Sequence, residues 1–75
     1  MKPELKRLKD KPPTLEEAQA FVGGYVELIR VGKGQLLVNE EGRLRKLEHN
    51  VEASDLAGQF IVGNALFLTG KARWS

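Results

Sequence analysis

His49, Ser54 and Asp55 are the residue types of a hydrolytic triad: an imidazole base, a hydroxyl nucleophile and an orienting carboxylate. A triad needs a geometry that three residues on one short segment rarely supply. The simpler reading makes Asn50 a helix cap, leaves Ser54 and Asp55 facing solvent, and puts His49 on the approach to the helix. Asn39, Glu40 and Glu41 offer oxygens to a hard cation. They lack the alternating acids and closing glutamate of a calcium loop, so a solvated turn is expected. Gly32-Lys33-Gly34 has glycines and a cation but neither the spacing nor the following helix of a phosphate loop, and reads as a hairpin turn. The chain has no cysteine, and His49 is its only histidine, which leaves no ligand set for zinc. No catalytic, metal or cofactor residue is assigned, and the expectation is a binding or regulatory module, not an enzyme.

Binding chemistry is concentrated elsewhere. Arg43, Arg45 and Lys46 cluster in one stretch, and the chain closes on Lys71-Ala72-Arg73-Trp74-Ser75. An aromatic flanked by cations can stack on a base or anchor in a protein pocket. The plainer reading folds Trp74 back over the sheet to complete a thin core. The net charge is +2, but its distribution is uneven: residues 1–13 and 70–75 together carry +5, and Thr14 to Thr69 carries −3. A compact duplex-binding domain shows the opposite, a basic body. Arg43, Arg45, Lys46, Lys71, Arg73 and Trp74 are therefore candidate partner-binding residues with a protein as the first choice of partner. Nucleic acid or a nucleotide, met by the basic tails with Tyr25 or Trp74 stacking, is the second.

These residues must be positioned by one small domain, since 75 residues bury a limited share of their surface. Packing must suffice without disulfides, and self-association is one way to help it. Residues 1–13 are charged, close on Pro12-Pro13 and offer only Leu5 and Leu8, at helical spacing, for burial. They read as a flexible or transiently helical basic leader. Thr14-Leu15-Glu16-Glu17 has the form of a capping box, and Leu15, Ala18, Phe21 and Val22 share a face, so a short helix runs to Gly23-Gly24. Tyr25 to Val31 and Gln35 to Val38 read as strands around the glycine turn. Asn39 to Gly42 reads as a second turn, with Gly42 left-handed, into a third strand over residues 43–47 with a basic outer edge. Asn50 begins a second helix closed by Gly58. Phe60 to Val62 and Ala65 to Leu68 follow as the most apolar, hence central, strands.

The fold class is thus α+β: a domain over residues 14–69 with a small, bent antiparallel sheet of about five short strands, closing part-way into a barrel in one variant, and two short helices. Residues 70–75 form a basic, aromatic tail. No apolar run approaches the roughly 20 residues of a membrane span, and Met1-Lys2-Pro3-Glu4 lacks the apolar core of a secretory signal, so a cytoplasmic protein with no membrane partner is expected.

Thr14-Leu15-Glu16-Glu17-Ala18-Gln19, then Val22-Gly23-Gly24-Tyr25-Val26-Glu27, Leu37-Val38-Asn39-Glu40-Glu41-Gly42 and Ile61-Val62-Gly63-Asn64-Ala65 carry a resemblance. Over residues 14–69 the chain resembles the domain-of-unknown-function 3846 family, small proteins frequent in tailed-phage and prophage genomes. The resemblance implies a phage origin and, by analogy with small phage accessory proteins of the host cytoplasm, binding of a host protein, nucleic acid or nucleotide. The first expectation is an accessory protein that modulates a host or phage protein. The resemblance transfers no activity and no catalytic residue.

Overall fold

The computed structural model describes residues 2–75. In chain order it has β1 (Leu5–Leu8), α1 (Leu15–Val22), β2 (Val26–Val31), β3 (Gly34–Asn39), α2 (Val51–Ala57), β4 (Ala65–Leu68) and a 3-10 turn over Gly70–Ala72. The four strands make one open mixed sheet in the order β1-β4-β3-β2. β1 runs parallel to β4, from Leu5 beside Ala65 to Leu8 beside Leu68, and the other two pairs are antiparallel.

The sheet is the middle of three layers. Leu37, Leu66 and Leu68 point to one face and pack with Ala18 of α1, Phe21 and Trp74. Leu36, Val38 and Ala65 point to the other and pack with Ala53 of α2, Ile61 and Phe67. A strand covered on both sides loses the polar alternation of a half-exposed one. That explains Gly34–Asn39, in which every residue is buried. Its two polar members are satisfied: the Gln35 amide exchanges two hydrogen bonds with the Trp74 backbone, at 2.6 and 2.7 Å, and Asn39 bridges Val22 and Glu41.

α1 begins as its sequence dictates. Thr14 Oγ1 accepts from the Glu17 amide at 3.0 Å, and Glu17 Oε1 accepts from the Thr14 amide at 2.9 Å. The Thr14 backbone bond, with the Thr14 hydroxyl and then Lys11 and Lys6 adding to it, holds the Glu17 carboxyl below the ordinary glutamate range. A depressed folded pKa contributes stability above the unfolded value, lost as pH falls through the folded one. Glu17→Gln is therefore expected to melt below the parent at neutral pH. Melting curves between pH 6 and about 3 should show the gap closing toward acid, the range set by the ordinary glutamate pKa.

The other end of α1 lacks a basic residue, yet the carbonyls of Phe21, Val22 and the cap residue Gly23 are met from outside the helix. Phe21 O accepts from Asn64 Nδ2 at 3.1 Å, Val22 O from Asn39 Nδ2 at 3.1 Å and Gly23 O from Arg45 at 2.9 Å. Three separate segments thus satisfy the orphan acceptors of one helix terminus.

Several expectations are corrected. The leader is not a free arm: Leu5–Leu8 is an edge strand, and Glu4 is held at both ends of its peptide, its N–H by Asn64 Oδ1 and its C=O by Asn50 Nδ2 and the Ala65 amide. Met1, the first residue of that expected leader, lies outside the described residues. The sheet has four strands, not about five, and is mixed, not antiparallel. Residues 43–46 form turns and Leu47 is outside the sheet, with Leu44 exposed and Lys46, not Gly42, left-handed at φ 54°. The free side of β3 goes instead to the apolar Ala65–Leu68, a central strand that carries no charge, and Arg43, Arg45 and Lys46 stay outside the sheet. Phe60–Val62 contributes only a bridge between Val62 and His49. The sheet does not close into a barrel, because helices occupy both of its faces and β1 and β2 end as its two edges.

Candidate functional site

His49 and Ser54 do meet. Nε2 lies 3.0 Å from Ser54 Oγ, and the His49 ring stacks on Phe60 at a centroid distance of 4.6 Å. The hydroxyl has other duties, however. It accepts from the Ile61 amide at 2.8 Å and lies 3.2 Å from Ile61 O, strapping α2 to the segment that follows it. With a proton on Nε2, His49 donates to Ser54, Ser54 donates to Ile61 O, and every group in the strap is satisfied. Asp55 makes no hydrogen bond to His49, so the three residues do not form the orienting relay of a triad. Ser54 is half-buried and not on the wet side, whereas Asp55 is exposed.

The six candidate partner-binding residues divide. Arg43 donates to Phe60 O at 3.3 Å and lies 5.6 Å from the Phe60 centroid. Arg45 caps α1, and Lys46 is exposed. Trp74 folds back: its indole N–H donates to Pro13 O at 2.9 Å and its ring packs against the α1 face of the core. Lys71 and Arg73 stay exposed beside it. Asn39, whose oxygen belongs to the expected solvated turn, is buried and capped by the Glu41 amide. Among the described residues no three acidic or histidine side chains come together as a metal set, and no helix is long and apolar enough to cross a membrane.

A different surface carries the free chemistry. β2 is the outer edge of the sheet, and Tyr25 O accepts from Glu40 N at 2.8 Å. In an antiparallel ladder this sets the parity: Glu27, Ile29 and Val31 bond to β3, and Val26, Leu28 and Arg30 aim their N–H and C=O groups outward. Among the described residues no group of the chain meets them. Tyr25 is 67% and Leu28 39% exposed on this edge. On the α2 face beside it lies a groove of about 300 Å³, lined by Glu27, Ile29, Arg43, Leu44, Phe60 and Val62, with Glu40 and Glu41 at its rim. Leu44 and Phe60 are 82% and 53% exposed there. The only ion pair among the described residues is Arg7 with Glu52 at 4.0 Å, so the three groove carboxylates have no cationic partner within that reach.

The match that places the chain spans this whole arrangement. A family model described as Domain of unknown function (DUF3846) matches residues 1–73 of the 75. The chain belongs to the DUF3846 family. The match includes the strand β1 and residues 70–73 of the tail, beyond the residues 14–69 that carry the resemblance in sequence. Comparisons with curated proteins and with solved structures return no match. For this DUF3846 chain the edge was missed in sequence, although a signal was there: Val26–Val31 is interrupted by Glu27 and Arg30, and Gln35–Val38 has no charge. Charges inside one strand of a hairpin mark it as the outer one.

Proposed function

We propose that this DUF3846 chain is a non-catalytic protein-binding module that takes an extended segment of its partner along β2. The carrying observation is the unpaired backbone of Val26, Leu28 and Arg30 beside a groove that mixes apolar side chains with an acidic rim. Strand addition draws affinity from main-chain hydrogen bonds and selectivity from pockets that receive alternate side chains. Glu27, Glu40 and Glu41 favour a segment that alternates apolar residues with lysine or arginine. In the phage setting implied by the resemblance, the partner is a host or phage protein in the cytoplasm.

Leu28→Pro is the diagnostic change. Its N–H faces away from the sheet, a position that tolerates proline on an edge strand, so the fold should survive while the ring blocks strand addition. The probe is a fluorescent peptide alternating leucine and lysine, beside one alternating leucine and glutamate. The parent is expected to bind the lysine peptide, and amide exchange at Val26, Leu28 and Arg30 should slow on binding. Leu28→Pro should abolish both effects with its melting curve little changed. Equal binding of both peptides, or no protection of the three amides, would overturn the reading. So would a parent dimer by light scattering that Leu28→Pro dissociates, since a second copy would then occupy the edge.

A further inference from the structure

The two basic tails, distant in sequence, are joined in the fold. Because β1 runs parallel to β4, the chain leaves both strands at the same end of the sheet. The β2–β3 hairpin tip lies at that end as well, since Gln35 pairs with Leu68. Lys71 N–H donates to Lys9 O at 3.1 Å. The Arg73 guanidinium donates to Lys33 O at 3.2 Å and to Gly70 O at 3.1 Å. Lys9, Lys33, Lys71 and Arg73 are all exposed, and among the described residues none has a carboxylate within 4.0 Å. Four cations from three segments thus share one end of the sheet, with Asp10 the acid next to them in sequence, while Glu40 and Glu41 lie at the other end beside Arg43.

The patch continues onto the β1 edge. A groove of about 340 Å³ is lined by Arg7, Leu8, Lys9, Phe67 and Thr69. Phe67 is half-buried, with the Arg7 guanidinium 6.0 Å from its centroid. Its ring lies over Gly34, where a side-chain carbon would come within 2.6 Å of it. A flat ring beside Arg7, whose guanidinium also lies 4.0 Å from Glu52, and opening onto cations without such a partner suits a chain that carries both phosphates and bases.

We infer that this end of the sheet binds single-stranded nucleic acid, with the phosphate backbone on Lys9, Lys33, Lys71 and Arg73 and a base against Phe67 and Arg7. The site is separate from the β2 edge and does not rest on the reading given above. A single small anion fits less well, because the cations are spread over an exposed end and do not converge on an enclosed pocket. An acidic peptide would use the charges but leave the aromatic ring idle. Duplex DNA would likewise meet only the charges, its bases being stacked away from Phe67. Recognition by dispersed lysines and one stacking ring is expected to be tolerant of sequence.

The test is fluorescence anisotropy with a labelled 12-nucleotide oligothymidine, about the site size of one small fold, at increasing salt. Four cations on single-stranded phosphates predict a slope of log affinity against log salt of about −2.8. Lys9→Gln/Lys33→Gln/Lys71→Gln should flatten that slope by about 2. Phe67→Leu, which keeps an apolar side chain in the core, should weaken binding about tenfold with the slope unchanged. Leu28→Pro should bind as the parent does, so failure here and failure of the β2 reading are told apart. Thermal melts of each variant confirm that the fold is intact. No binding at low salt would overturn the inference, as would indifference to the triple change. Phe67→Leu binding like the parent, duplex binding as tightly as the single strand, or polyglutamate competing equally would each do the same.

Discussion

Removal of residues 2–9 is expected to unfold the domain, not to trim a tail from it. The deletion takes away the whole ladder between β1 and β4, and with it Leu5 and Leu8, which pack on opposite faces of the sheet. It also orphans groups on what remains. Asn64 Oδ1 loses the Glu4 amide and Asn50 Nδ2 loses the Glu4 carbonyl. Each half-buried leucine contributes up to about 1.5–3 kcal/mol, and stranding the buried Asn50 amide costs about 1–3 kcal/mol, while the exposed Asn64 oxygen can turn to water. A 75-residue domain has about 4–11 kcal/mol in total. The losses are of the same size as the whole, so circular dichroism should show no cooperative melt. A truncated chain that melts within a few degrees of the parent would place β1 outside the domain.

Asn50→Ala is expected to be the most damaging single substitution among the polar residues. Asn50 is 2% exposed and serves three groups: Oδ1 accepts from the Ala53 amide at 3.0 Å, and Nδ2 donates to Glu4 O at 3.0 Å and Gly63 O at 2.8 Å. Alanine removes a helix cap worth about 1 kcal/mol and leaves two carbonyls without that donor, for a loss of about 3 kcal/mol or more. Urea denaturation reads this as a lower midpoint. Asn50→Asp separates the two duties. Aspartate keeps the cap, but it sets a carboxylate against two carbonyl oxygens. If the donor role dominates, Asn50→Asp should be destabilised at least as much as Asn50→Ala at neutral pH, and should recover as pH falls and the carboxyl gains a proton. Near-parent stability of Asn50→Asp would mean that capping is all Asn50 does.

The local signals were legible because they are local. The Thr14 to Glu17 box, the Asn50 cap, the glycines closing both helices and the tight Gly32-Lys33 reversal depend on neighbours within a few residues, and each is where the sequence puts it. Two errors have one cause. Leu5 and Leu8 are three apart, which reads as one helical stripe; in a strand the same spacing places them on opposite faces, and a sheet covered on both sides needs that of its edge. Arg43 to Leu47 was read as a strand for its alternation alone, without its competitor for β3, a segment over 20 residues away in sequence. The same holds for the sites. Trp74 folding inward could be weighed from the thinness of the core. The union of Lys9 with Lys71, and of Lys33 with Arg73, could not, since it depends on a parallel pairing that no local pattern announces.

That pairing also governs when the molecule can take shape. Residue 5 is matched to residue 65, so the strand made early must wait for one made 60 residues later. At 5–20 residues per second the interval on the ribosome is about 3–12 s. In the later part of it β3, apolar on both faces, has only β2 and α1 beside it. Non-local parallel pairing is intrinsically slow once the chain is complete. The helices and the hairpin can flicker in and out as soon as they emerge, but the sheet that unites them is expected to close in one late step, leaving a newborn chain exposed to aggregation for longer than its small size suggests.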